Sequence, residues 1–81
     1  MNVRVVPFAR LREIIGATAL ERTVGGDSTA GDLWDELARE FPPLAELGTS
    51  TRLVCNGRFV ERAAALCDGD EVGLLPPFGG G

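Results

Sequence analysis

A chain of 81 residues can bury one hydrophobic core and no more. With 44% hydrophobic and 25% charged residues it has the composition of a folded chain rather than a disordered one. Its net charge of −4 has the wrong sign for holding nucleic-acid phosphates or an anionic membrane surface, so neither is expected as a partner and a basic protein fits better.

Residues 2–8 alternate and are rich in Val, which predicts a first strand whose end tolerates Pro7. Ala9 to Ile15 carries Leu11, Ile14 and Ile15 at helical spacing and stops at Gly16, so a short helix is expected. Ala19 to Val24 reads as a second strand, closed by Gly25–Gly26–Asp27 and forming a hairpin around the short helix. Ser28 or Thr29 then caps the main helix, which runs to about Phe41, with Asp32, Asp35 and Glu36 placed early where the helix dipole favours negative charge. Leu33, Trp34, Leu37, Ala38 and Phe41 form its apolar stripe, and such a stripe covers a sheet. Pro42–Pro43 ends the helix, with at most one further turn before Gly48. Arg52–Cys55 and Arg58–Glu61 flank Asn56–Gly57, a strong two-residue hairpin signal, and the turn Asp68–Gly69–Asp70 leads to a last strand, Glu71–Leu75. The fold class expected is α+β, a mixed sheet wrapped over one main helix, with a domain at 1–75 and an extended tail at 76–81.

Alternation sorts the strand residues by face. Val3, Val5, Leu53, Val60, Val72 and Leu74 point toward the helix, which leaves Arg4, Val6, Phe8, Arg52, Val54, Phe59, Glu61, Glu71, Gly73 and Leu75 on the open side. The two-residue turn sets Leu53 opposite Val60 and Val54 opposite Phe59. An apolar patch rimmed by charge on the solvent side of a sheet marks a protein interface.

The catalytic inventory is sparse. All the basic side chains are Arg, and the absence of Lys removes Schiff-base chemistry. The absence of His leaves Cys55 and Cys67 without an imidazole base, and their spacing makes a poor zinc site, so no cofactor or metal is expected. Cys55 falls on the inward face and Cys67 beside a turn, the places of small structural thiols. MNVRVVPF is not a signal peptide and no run of eighteen apolar residues occurs, which predicts a cytoplasmic chain with reduced thiols. Asp68, Asp70 and Glu71 allow two roles, a solvated turn or a guide to a basic partner surface. After Leu75 the chain ends in Pro76, Pro77, Phe78, Gly79, Gly80 and Gly81, two stiff residues followed by three with no side chain. Six extended residues reach roughly 20 Å, enough to place a carboxylate deep in another protein's pocket.

FARLREIIG near the start and DGDEVGLLPPFGGG at the end, in a chain of this length, resemble the small subunit of molybdopterin synthase, a family of ubiquitin-like β-grasp sulfur carriers. The resemblance spans the whole chain, with mild departures at Phe78 and Gly79. It implies an E1-like ATP-dependent adenylyltransferase that activates the Gly81 carboxylate, and a persulfide sulfur donor that converts it to a thiocarboxylate. It also implies a large synthase subunit in which that group delivers sulfur to cyclic pyranopterin monophosphate. On this footing Gly81 and Gly80 are the reacting terminus, while Phe8, Phe59, Leu75, Pro76, Pro77, Phe78 and Gly79 meet the partners. The chain itself is then not an enzyme, and acid–base groups belong to the partners. Carriers for thiamine, cysteine or tRNA thiolation use the same device, and a plain β-grasp adaptor that is never thiolated is the alternative from another class.

Overall fold

The structure, a computed structural model, describes residues 1–77. Five strands and two helices follow in the order β1 (Asn2–Pro7), α1 (Arg10–Ile15), β2 (Leu20–Thr23), α2 (Ala30–Glu40), β3 (Arg52–Cys55), β4 (Arg58–Val60) and β5 (Glu71–Leu75). A 3₁₀ turn, Pro42–Leu47, lies between α2 and β3. The sheet order is β2-β1-β5-β3-β4, with β1 and β5 parallel at the centre and every other pair antiparallel. This is the expected β-grasp arrangement of a mixed sheet over one main helix.

Each element follows from local chemistry. α1 stops where Gly16 turns left-handed, φ 79°, and its N–H donates to the Arg12 carbonyl. α2 starts at Thr29 with a capping box: the Thr29 hydroxyl accepts from the Asp32 N–H, and the Asp32 carboxylate accepts from the Thr29 N–H. The first two free N–H groups of α2 find partners elsewhere. Ala30 donates to the Ala64 carbonyl at 2.9 Å and Gly31 to the Arg62 carbonyl at 2.8 Å, so the segment after β4 closes the helix start. Gly31 permits that approach, because a Cβ there would meet the Arg62 Cβ and carbonyl oxygen at 3.0 Å. At the β3–β4 turn Asn56 and Gly57 both have positive φ, 50° and 85°, as a tight hairpin requires. The pairing is the one the two-residue turn dictates, Leu53 with Val60 and Val54 with Phe59.

The core forms between the inner face of the sheet and the helices. Val3, Val5, Leu53, Val72 and Leu74 meet Leu33, Trp34 and Leu37 of α2 and Leu11 of α1, all buried. Leu44 of the 3₁₀ turn and Leu66 of the loop before β5 complete it. At the sheet edge Arg22 of β2 forms an ion pair with Glu40 of α2.

Candidate docking face and C-terminal tail

No helix or loop covers the outer face of the sheet among the described residues, and its side chains fall into rows set by register. The middle row crosses four strands as Val6, Gly73, Val54 and Phe59. Toward the chain end, Leu75 sits opposite Arg52. Phe8 extends this end of the face one residue past β1, its N–H donating to the Leu74 carbonyl at 3.1 Å. The far end is polar, with Arg4 beside Glu71 and Glu21, its guanidinium 3.9 Å from the Glu21 carboxylate. Register therefore puts Arg4, Glu21 and Glu71 at one end of the face and Phe8, Leu75 and Arg52 at the other, where β5 leaves for the tail.

Phe8 and Phe59 are the two exposed large hydrophobic side chains among the described residues, 39% and 59% accessible, and both lie on this face. Gly73 explains the lie of Phe8. A Cβ at Gly73 would come 3.4 Å from Phe8 Cε2 and 3.6 Å from Val54 Cβ, so the phenyl ring and the Val54 side chain close over bare backbone. That is why Gly73 is buried although it belongs to the open side. Phe59 is braced differently, with the Arg52 guanidinium 4.5 Å from its ring centre. Val6, Val54 and Leu75 are half-buried between the two aromatics. Leaving such a surface in water costs the free domain the apolar contacts that a partner could supply.

The structure brings together Phe8, Phe59 and Leu75 as the sequence places them. Pro76 follows half-buried and Pro77 is exposed. Phe78, Gly79, Gly80 and Gly81 lie outside the described residues. The seat that Gly73 provides for Phe8 was missed in the sequence. The signal was there, a glycine in mid-strand at a position that faces an aromatic neighbour.

The acidic turn resolves into two roles. Asp68 accepts from the Asn2 N–H at 2.7 Å. Asp70 accepts from the Cys67 N–H and from the Asn56 side-chain amide, both at 2.8 Å, and from the Cys55 thiol at 3.4 Å. Asn56 in turn accepts from the Glu71 N–H at 2.9 Å. These bonds tie β1, β3 and β5 together at the end away from the tail. The Cys67 N–H, then the Asn56 amide, hold the Asp70 carboxyl below its usual range. Two of the three acids are thus spent on local structure, and Glu71 alone remains on the open face.

The cysteines separate in the same way. Cys55 is half-buried against the core, and burial together with the neighbouring Asp70 carboxylate pushes its thiol up to about 11. A thiol so placed is a poor nucleophile at neutral pH. Cys67 is exposed, and its N–H rather than its sulfur serves the turn.

The sequence profile described as the ThiS family matches residues 5–81. A protein of Arabidopsis thaliana named molybdopterin synthase sulfur carrier subunit is 32% identical over 81 residues, which is 100% of this chain and 84% of that one. Small archaeal modifier protein 3 of Haloferax volcanii is 35% identical over 92 residues, covering 100% of both chains. In the solved complex of subunits 1 and 2 of molybdopterin-converting factor from Helicobacter pylori, a chain aligns with a TM-score of 0.71 at 26% identity, covering 100% of both.

Proposed function

The chain belongs to the ThiS family, and from that premise we propose that it is the sulfur-carrying small subunit of molybdopterin synthase. The observation that carries this reading is a likeness to named sulfur carrier subunits that runs the whole length of the chain. The geometry supports it, since β5, from which the tail departs, runs through the middle of the face that bears Phe8 and Phe59 on its two sides.

The mechanism assigns the chain a cargo role. An E1-like enzyme transfers AMP from ATP to the Gly81 carboxylate and releases pyrophosphate. The terminal sulfur of a persulfide displaces AMP, and a second thiol cleaves the acyl disulfide to leave the thiocarboxylate. Gly80 and Gly81 contribute by bearing no side chain, which leaves the carbonyl unhindered and the approach to it narrow. The sheet face docks first on the activating enzyme and then on the large subunit, whose own groups carry the acid–base steps. The thiocarboxylate sulfur then passes to cyclic pyranopterin monophosphate. A known complex of two converting-factor subunits supports a large-subunit partner of this kind.

The test is direct transfer. The thiocarboxylate form of the full chain, mixed with the cognate large subunit and cyclic pyranopterin monophosphate, is expected to yield the dithiolene and return the chain as carboxylate. Absence of product with a large subunit that works with another carrier would overturn the assignment. Relatives named modifiers favour a second reading, in which the same activated terminus is joined to an amine of another protein. Covalent conjugates in extracts supplied with ATP, without sulfur transfer, would select it.

A further inference from the structure

The net charge of −4 points to a basic partner, yet the surface next to the tail carries the opposite sign. Asp68 and Asp70 are occupied by local donors, and the Glu21, Arg4 and Glu71 group lies at the far end of the face. At the tail end stands Arg52, directly opposite Leu75. It is exposed, and among the described residues no carboxylate lies within ion-pair distance of it, including that of Glu61 just past the end of β4. Its guanidinium lies over the Phe59 ring at 4.5 Å, and among the described residues its side-chain N–H groups donate to no protein acceptor.

Beside it, the mouth of the β3–β4 hairpin opens into a groove of about 360 Å³ whose lining includes Arg52, Phe59, Glu61 and Arg62. Arg62 on the far wall is anchored, donating to the Gly48 carbonyl at 3.1 Å and lying 5.8 Å from the Trp34 ring centre. The groove is thus lined by two cations and one carboxylate, Arg62 anchored, Arg52 stacked on Phe59 and Glu61 unpaired with either among the described residues, which leaves it net positive.

We propose that Arg52 is a recognition residue, receiving a carboxylate side chain from the partner protein that docks on the open face. This rests on the reading of that face as the docking surface and names the chemistry of the group that meets its tail-side rim. A planar guanidinium already held by stacking loses little freedom when a carboxylate joins its fork, and a bidentate contact fixes register as well as attraction. Placed opposite Leu75, such a contact sets the direction in which the tail leaves the interface.

The experiment titrates the cognate large subunit with the full chain at low and high salt, using Arg52→Glu, Arg52→Gln and, as a control of equal charge change on the other side of the molecule, Arg39→Glu. Arg52→Glu is expected to weaken binding about tenfold or more and Arg52→Gln less, with a flatter salt dependence in both, while Arg39→Glu stays within about twofold. Restoration of Arg52→Glu binding by a carboxylate-to-lysine change in the large subunit would identify the partner group. Equal effects of Arg52→Glu and Arg39→Glu, or none from either, would overturn the inference. A second arm separates it from the partner assignment: hexaglutamate peptide is added to the isolated chain and the amide signals of residues 51–53 and 59–62 are followed. If the wild type fails to bind the large subunit but the peptide shifts these signals and Arg52→Gln abolishes the shift, the partner assignment falls and the acidic-group recognition stands. If neither probe responds, the recognition itself is wrong.

Discussion

On the inner side of the sheet Val3, Val5, Leu53, Val72 and Leu74 lie against the helices with almost no contact with water. On the outer side Val6, Val54 and Leu75 of the same strands, with Phe8 just past β1 and Phe59 of β4, keep part of theirs. The residue types overlap and the alternation is shared, so hydrophobicity by itself does not distinguish core from interface. What separates them is α2, which covers one side only. Burial on the inner face stabilises folding, whereas the apolar area of the outer face is left available for association.

That contrast can be broken by mutation. The largest effect is expected from Leu74→Ala, which opens a cavity under a fully buried side chain and should cost about 3 kcal/mol in denaturant unfolding. Phe59→Ala should behave in the opposite way. Its loss should weaken large-subunit binding by about 30-fold, or ~2 kcal/mol, with little change in unfolding free energy. A Phe59→Ala protein that unfolds much more easily yet binds normally would show that the two faces have been exchanged.

Smaller effects sharpen the picture. The Asp70 carboxyl is held below its usual range in the folded chain, so its contribution is present above the unfolded value near 3.8 and is lost as pH falls through the lower folded value. Between pH 4 and pH 2 the wild type should therefore lose melting temperature faster than Asp70→Asn, and parallel acid profiles would contradict the hydrogen-bonded corner. Least of all is Gly73→Ala. The added methyl meets Phe8 and Val54 at ordinary contact distance on the open side, so stability should change by less than about 0.5 kcal/mol.

Much of this architecture was legible in the residues. Asn56–Gly57 fixed its hairpin because both positions need positive φ, Thr29 and Asp32 marked the helix start, and alternation then assigned the faces. Boundaries moved by one or two residues, as when β2 proved to be Leu20–Thr23 within the expected Ala19–Val24. The parallel β1–β5 pairing was not legible, because nothing local records which of two distant strands will meet. Leu44 and Leu66 were missed as core for a related reason: they sit in a 3₁₀ turn and a loop, where no period advertises the buried side. Asp70 stood open between a solvated turn and a guide to a basic partner, because its donors, Cys67, Asn56 and Cys55, are brought to it by turns and by strand pairing.

Intact-mass analysis decides where on the chain sulfur is carried. The full chain, Cys55→Ser/Cys67→Ser and a variant lacking Gly81 are each incubated with ATP, the cognate activating enzyme and a persulfide donor. The sulfur-for-oxygen mass difference is expected on the terminal peptide of the first two and not on the third. Sulfur that disappears with the cysteines, or persists at the terminus without Gly81, would contradict carriage at Gly81.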